Sequence, residues 1–426
     1  MPNRARPRHT RPAAALTDAS TAALTDTLTA VLAGVLALAV ALLAGCTGAV
    51  TPTPSATAGP PPPVPTTALP APDAPATPDA PVARLPEGAV RTIATGLAAP
   101  WSILRVPGGG VLVSERDTAN IVEIDASARP GATTGDASAP TRLVTHLADV
   151  APGGEGGLLG LAWRAGDGGQ RPDQVYAYLT AANDNRIVRM PLTGNAGALM
   201  LGAPEPVFSG IPKASNHNGG RIAFGPDGML YVTAGDAGRR EAAQDPASLA
   251  GKILRLTPDG AAAPGNPFGT AAWSIGHRNP QGLVWDATGR LWAAEFGQNT
   301  WDELNRIERG ANYGWPVVEG LAGDPRFTDP VVQWPTSEAS PSGLTVVGDT
   351  LALAALRGER VWTAYPATGD APPTVQPWFV GEFGRIRDVV PGPDGELWFV
   401  TNNTDGRGTP AEGDDRLLAV PTSPLP

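Results

Sequence analysis

Hydrophobic residues along this chain recur in short alternating runs, and each run is followed by a tight turn and a second run. The clearest copies carry an Asp-Gly or Thr-Gly turn and span residues 224–233, 285–294 and 391–400. Weaker copies span residues 104–114, 161–180 and 344–354. Period-two runs joined by such turns are typical of β-hairpins. The pattern therefore predicts six hairpins, and the turn chemistry alone explains their Asp and Gly residues.

The six hairpins follow one another at intervals of roughly 50 to 60 residues, a period typical of propeller blades that bury their faces against their neighbours. Gly 52, Pro 47 and a charged fraction of only 17% also favour short strands and turns over helices. We therefore predict an all-β fold, a six-bladed β-propeller of four-stranded antiparallel blades. Its tryptophans are expected to pack between blades, at Trp163, Trp273, Trp285, Trp292, Trp362 and Trp398.

The formal net charge of −10 argues against nucleic acid as a partner, because phosphate binding needs a basic surface. An acidic protein can still hold a small anion if its few cations converge on one pocket. Charge therefore excludes one class of partner and leaves small-molecule ligands open.

The N-terminal region has the layout of a secretory signal. Arginines at positions 4, 6, 8 and 11 precede an apolar run that ends at Cys46, the sole cysteine. Residues 43–46, Leu-Ala-Gly-Cys, resemble the bacterial lipobox, in which the cysteine carries a lipid. We predict a lipoprotein signal peptide over 1–46, with export and anchoring to the outer face of the bacterial cytoplasmic membrane. A plain signal peptide or an uncleaved anchor is the alternative.

After Cys46 the chain is predicted to divide into a linker and a folded domain. Residues 47–88 are rich in Pro, Ala and Thr and cannot bury a core, so we predict a disordered linker. Residues 89–426 are assigned to the propeller.

One candidate for chemistry is His217, held between two asparagines on the loop before the third hairpin. A histidine in such a loop is a fair general base for a hydroxyl proton, although a merely hydrogen-bonded loop histidine fits as well. Asp236 follows the same hairpin and should return to the same face of the blade. It could therefore orient His217 or pair with its charge.

Two further groups of residues point to an anionic ligand and a cation. Arg278 and Asn279 place a guanidinium group and an amide side by side, which suits an oxyanion or a quinone oxygen. Arg385 and Arg387 lie on one side of a predicted strand and, with Arg357, could receive a ligand that bears several carboxylates. The loop 295–305 is rich in oxygen ligands of the kind that Ca²⁺ takes, and a purely structural loop is the alternative.

These segments, together with residues 100–102, 156–160, 249–255 and 310–316, resemble in order the soluble quinoprotein glucose/aldose sugar dehydrogenases. The resemblance implies a six-bladed propeller that binds pyrroloquinoline quinone (PQQ) and Ca²⁺ on one face. It further implies oxidation of aldose sugars at C1 to the lactone, with hydride passing to the quinone and electrons going on to an external acceptor. The sugar and the oligomeric state stay open.

The resemblance also implies roles for particular residues. His217 matches the family's catalytic base and Asp236 its acidic partner, while Arg278 and Asn279 match residues at the quinone oxygens. The carboxylates of the cofactor would be held by Arg357, Arg385 and Arg387. Backbone carbonyls at Gly297 and Gln298 match those that bind Ca²⁺.

The chain departs from the family pattern at several of these positions. Glu155 stands where one branch has a glutamine that contacts the quinone, and Arg357 stands where that branch has lysine. Gln298 replaces a proline found in some members, and Phe296 replaces a polar residue. Two rival hypotheses are a non-catalytic propeller that binds a partner on the same face and a Ca²⁺-dependent hydrolase such as a lactonase.

Overall fold

The computed structural model describes residues 81–125, 138–169 and 171–425, and in this part of the chain strands dominate. Six antiparallel sheets follow one another along the sequence, five of them built from neighbouring strands and the sixth completed by an early strand. The first strand of each sheet contacts the first strand of the next sheet, and that of the sixth contacts that of the first. The sheets therefore form a closed ring, which confirms the predicted six-bladed β-propeller.

In blades 1 to 5 the first strand lies nearest the axis and the later strands follow outward in chain order. Blade 1 contains Pro100–Arg105, Val111–Glu115, Asn120–Ile124 and Thr141–His146. Blade 2 contains Leu158–Arg164, Gln174–Thr180, Asn185–Thr193 and Glu205–Ile211, with the short strand Met200–Leu201 also paired to its third strand. Blade 3 contains Ile222–Phe224, Leu230–Ala234, Lys252–Leu256 and Ala272–Ile275. Blade 4 contains Pro280–Trp285, Leu291–Glu295, Trp301–Ile307 and Val332–Pro335. Blade 5 contains Pro341–Val347, Thr350–Ala355, Arg360–Tyr365 and Thr374–Trp378.

The two ends of the chain close the ring in blade 6. Its three inner strands are Ile386–Pro391, Leu397–Thr401 and Leu417–Val420, and its outer strand is the early segment Arg91–Ala94. A second pair, Arg84–Pro86 with Thr422–Pro424, lies beside this closure. The predicted linker boundary at residue 88 therefore has to be corrected, since residues 84–86 form a strand. Local composition does not indicate this strand, because its stability comes from pairing with a segment more than 330 residues away.

The core lies between adjacent blades. Trp292 and Trp362 meet in one apolar cluster of blades 4 and 5, and Trp398 of blade 6 packs against blade 1. Trp163, Trp273 and Trp285 pack against similar clusters, so these rings have the packing role expected of them. The helical segments among the described residues are the 3₁₀ turns Arg240–Gln244 and Pro393–Gly395. No helix in that part of the chain is long and apolar enough to cross a bilayer.

A buried polar cluster around Arg221, just before the first strand of blade 3, connects the inner strands of several blades. Its guanidinium group makes two contacts of 3.1 Å with the carboxylate of Asp388 in blade 6. It also donates to the Gln281 carbonyl of blade 4 at 2.9 Å and to Ser102 of blade 1 at 3.2 Å. One side chain thus joins four blades. The predicted signal peptide with Cys46, and the linker up to residue 80, lie outside the described residues.

Candidate active site

The candidate site residues meet at one end of the ring because of how each blade is connected. In every blade the first two strands form a hairpin whose turn lies at the opposite end, so residues before the first strand and after the second reach the same face. A pocket of about 260 Å³ opens there. Its walls include eight residues predicted from the sequence, Glu155, His217, Arg278, Asn279, Gly297, Arg357, Arg385 and Arg387.

His217 and Asp236 form a hydrogen-bonded pair at this pocket. The imidazole Nδ1 lies 2.7 Å from Oδ1 of Asp236, whose side chain is fully buried. An ionised carboxylate can only accept, so Nδ1 carries the proton and Nε2 of a neutral ring is free to accept one. The pair therefore has the arrangement of a general base fixed by an acidic partner.

The environment of Asp236 keeps it ionised. Burial alone would raise its pKa, but donors outweigh that effect and hold the pKa of Asp236 below its usual value. These donors are His217, the backbone N–H of Gly238 at 2.7 Å and the indole N–H of Trp315 at 2.9 Å. A carboxylate that stays charged can stabilise an imidazolium formed beside it.

The backbone at His217 adopts φ 57°, in the left-handed region that a non-glycine residue enters only when its surroundings hold it there. Its carbonyl accepts from Ala237 N at 3.2 Å, and its N–H donates to Glu155 Oε2 at 2.8 Å. Gly235 packs directly against it, since a Cβ there would lie 2.1 Å from the His217 oxygen. The contacts of Glu155, Gly235 and Ala237 therefore hold His217 in this left-handed conformation.

Arg278 enters the pocket from the loop before blade 4. The buried His277 beside it is fixed by Ser274 at 2.8 Å and by Glu295 at 2.7 Å, and Glu295 also accepts the backbone N–H of Arg278. The guanidinium group lies over the Trp315 ring, 5.5 Å from its centroid, and its buried Nε has no partner within the described residues. Arg278 therefore has an unused donor at the pocket.

Asn279 lies next to Arg278 and is almost fully buried. Its side-chain oxygen accepts the backbone N–H of Gly219 at 3.0 Å. The amide nitrogen is the group left to donate toward a ligand.

A cluster of cations forms the other wall. Arg385 contacts Asp405 at 3.1 Å, and Arg387 lies 3.8 Å from the same carboxylate, so one acid serves two guanidinium groups. The Nε atoms of both arginines are buried without a partner in the part of the chain described. Burial, with Arg116 and Arg385 nearby, lowers the pKa of Arg387 to about 9. The site has more positive charge than its own carboxylates compensate.

Arg357 follows the second strand of blade 5, lines the pocket and is exposed. No hydrogen bond or ion pair of its side chain is found with any described residue. It is thus available to a ligand at the pocket mouth.

The loop after the second strand of blade 4 turns its backbone donors toward carboxylates. Gly297 N donates to Asp302 at 2.9 Å, and the N–H of Gln298 donates to Glu319 at 2.6 Å. No hydrogen bond to the carbonyl oxygens of Gly297 or Gln298 is found among the described residues. Gln298 itself does not line the pocket. Across the described ranges no group of three or more His, Cys, Asp or Glu could hold a metal, so any cation here would depend on backbone oxygens.

Sequence reasoning missed three residues that complete the site. The indole of Trp315 donates a hydrogen bond to Asp236. Asp405 forms an ion pair with Arg385 and lies close to Arg387. Arg407 forms an ion pair with Glu155 at 3.1 Å. Trp315 lies in a segment that resembles the family, which was the one available signal. The loop that carries Asp405 and Arg407 has no pattern that links it to residues so far away.

Fold and site together define a class of protein, a six-bladed propeller with a histidine–aspartate pair that faces a cation-rich pocket. A family model described as glucose/sorbosone dehydrogenase matches residues 97–410. The chain belongs to this glucose/sorbosone dehydrogenase family.

Relatives with known names agree with this assignment. The PQQ-bound form of an aldose sugar dehydrogenase from Streptomyces coelicolor has 49% identity and a TM-score of 0.73, covering 80% of this chain and 100% of that one. Quinoprotein glucose dehydrogenase B of Acinetobacter calcoaceticus is 30% identical over 267 residues, 55% of this chain and 53% of that protein. An aldose sugar dehydrogenase of Escherichia coli is 34% identical over 233 residues, 47% of this chain and 62% of that protein.

Proposed function

We propose that this protein oxidises aldose sugars at C1 to the lactone, with PQQ and Ca²⁺ as cofactors and an external electron acceptor. The observation that carries the proposal is the buried surplus of guanidinium donors next to a histidine–aspartate pair. A small anion with several carboxylates would supply the missing partners, and a base beside it could take a hydroxyl proton.

The residues present fit PQQ. Arg278, Arg385 and Arg387 line one pocket, and the buried Nε atom of each has no partner within the described residues. Arg385, Arg387 and Arg357 would hold the carboxylates of the cofactor, and Arg278 with Asn279 would face its quinone oxygens. The carbonyls of Gly297 and Gln298 would be ligands for Ca²⁺.

The chemistry assigned to this chain's own residues is proton transfer and orientation. His217 Nε2 would accept the proton of the sugar's C1 hydroxyl, while Asp236 stabilises the imidazolium that results. When bound, PQQ supplies the two-electron acceptor for the C1 hydride. Loss of the hydroxyl proton and of the hydride on C1 turns the C1–OH group into the lactone carbonyl, and the two electrons leave with the hydride, so the reaction balances.

The test is a titration of the purified protein with PQQ in the presence of Ca²⁺, followed by glucose, other aldoses and a dye acceptor. We expect saturable binding, sugar-dependent dye reduction, and loss of turnover with retained binding in His217→Ala. His146→Ala is the matched control, because this exposed histidine lies on the outer strand of blade 1, where its ring contacts Asn120 of the adjacent strand, and it is not among the residues that line the pocket. No binding at any Ca²⁺ concentration, or turnover that survives His217→Ala, would overturn the proposal.

We also propose that the protein is exported and carries a lipid on Cys46, which rests on the signal-like layout of residues 1–46. Metabolic labelling with palmitate should mark the wild-type chain in cells and fail to mark Cys46→Ala. Labelling of that variant would refute the anchor.

A further inference from the structure

We infer that Glu155 is a positioning residue for the base His217, with Arg407 as its counter-ion, and that it does not contact the cofactor. The inference rests on the proposed function for the role of His217. It differs from what the resemblance implies, which places a quinone contact at this position. Its basis is the set of partners that the two carboxylate oxygens already have.

Both oxygens of Glu155 are engaged within the protein. Oε2 accepts the backbone N–H of His217 at 2.8 Å, and Oε1 lies 3.1 Å from Nη1 of Arg407. The backbone of Glu155 is fixed to the same loop, since its N–H donates to the Ser215 carbonyl at 2.8 Å. Gly154 makes that approach possible, because a Cβ there would lie 2.0 Å from the Ser215 oxygen.

His217 needs such a partner because of its backbone conformation. A φ of 57° is unfavourable for a residue with a Cβ and persists only where several contacts fix it. Its N–H is fixed by Glu155, its carbonyl by Ala237 and its imidazole Nδ1 by Asp236. Of the two backbone contacts, only that of Glu155 involves a charged acceptor, and such bonds are the stronger ones.

Arg407 explains how a carboxylate can lie beside a pocket for an anion. Its guanidinium group pairs with Glu155, so the pair is neutral overall, as an uncharged side chain would be. The backbone N–H of Arg407 donates to Asp405 at 2.9 Å, and Asp405 in turn pairs with Arg385. One turn of the chain therefore neutralises Glu155 and supports the arginine wall.

The decisive variant is Glu155→Gln, which is nearly isosteric and keeps one oxygen for the His217 N–H. If Glu155 positions the base, Glu155→Ala lowers kcat about tenfold or more and Gln restores most of it, while PQQ affinity in the charge-balanced Glu155→Gln/Arg407→Gln double variant stays within about threefold of wild type. If Glu155 instead contacts the cofactor, the double variant loses that contact and its PQQ affinity shifts about tenfold. That shift would overturn the inference.

A second readout needs no cofactor. The chain has four histidines, so the Hε1 proton resonance of His217 can be assigned in the apo protein by its absence in His217→Ala. Positioning predicts that this resonance moves or broadens in Glu155→Ala and returns toward its wild-type place in Glu155→Gln. An unmoved resonance in Glu155→Ala would refute the role. Failure of wild-type protein to bind PQQ would refute the proposed function and leave this arm unaffected.

Arg407 is tested by Arg407→Gln, which leaves Glu155 uncompensated beside the pocket. We expect PQQ affinity to fall about threefold to tenfold and to recover in the Glu155→Gln/Arg407→Gln double variant. The control is Arg91→Gln, which breaks the similarly exposed pair with Glu396 (2.7 Å) outside the pocket. Equal affinities for Arg407→Gln and wild type would remove Arg407 from the inference.

Discussion

Replacing Arg387 by methionine should stabilise the apo protein and abolish cofactor binding. The guanidinium group is almost fully buried; it donates to Gln281 at 3.0 Å and shares the carboxylate of Asp405 with Arg385. Its Nε has no partner within the described residues. Methionine of similar length would fill the space, and Gln281 would keep its 3.2 Å contact with Ser342.

The magnitude follows from the cost of the buried charge. Burial first, and then the repulsion from Arg116 and Arg385, lower the pKa of Arg387 from its usual value to about 9. At about 1.4 kcal/mol for each pH unit, the fold disfavours the charged form by a few kcal/mol. Arginine still stays charged at neutral pH, so its removal should raise the free energy of unfolding by about 1–3 kcal/mol.

The assay is thermal unfolding with and without PQQ. Without ligand, the Arg387→Met variant should melt at a higher temperature than wild type. PQQ at about 100 times its Kd should raise the free energy of unfolding of wild type by about 2.7 kcal/mol and leave that of the variant unchanged. Arg221→Met is the contrasting control, because it leaves Asp388 buried and unpaired and should cost about 3–5 kcal/mol. A lower apo melting temperature for Arg387→Met, or unchanged PQQ affinity, would refute this account of the cationic wall.

Three other perturbations test separate parts of the fold and site. Trp315→Phe removes the 2.9 Å bond to Asp236, so kcat should fall about tenfold with PQQ affinity unchanged. The control Trp292→Phe loses a comparable indole–carboxylate bond of 3.0 Å away from the pocket. An equal fall in kcat in the control would show that Trp315 has no particular role in turnover. Gly235→Ala places a Cβ 2.1 Å from the backbone oxygen of His217 and should lower turnover by displacing this loop. Wild-type turnover would show that the loop yields without consequence. Burial lowers the pKa of Lys252 from 10.5 to about 8, so the unfolded chain binds more protons between these values. Denaturation across this pH range should show that the free energy of unfolding of wild type rises by about 3 kcal/mol relative to that of Lys252→Met. A difference between the two proteins that does not change with pH would mean that the three carbonyls bonded to the Lys252 ammonium group fully replace water.

The hairpins and the approach of His217 to Asp236 could be predicted because both depend on short stretches of chain. An Asp-Gly turn specifies its hairpin locally, and a hairpin brings the residues at its two open ends to one place. His217 and Asp236 are only 19 positions apart for this reason. Residues at equivalent points of later hairpins could be placed on the same face by the repeat alone.

The contacts that the sequence did not indicate are those between distant segments. Glu155 and Arg407 are 252 positions apart, and Trp315 reaches Asp236 across 79. Each contact depends on an irregular loop, whose course the repeat does not determine. The strand Arg84–Pro86 was missed for the same reason, since its partner is at the other end of the chain.

Ring closure has a direct consequence for the charge of the pocket. Arg278 comes from blade 4, Arg357 from blade 5, Arg385 and Arg387 from blade 6, and Arg116 follows the second strand of blade 1. No single blade holds the cluster, and like charges in a buried site repel. The closed ring must therefore supply the free energy that keeps these cations together before any ligand arrives. The seam between the two chain ends lies in blade 6, which also carries Arg385 and Arg387, so closure of the ring and this part of the cationic wall depend on the same sheet.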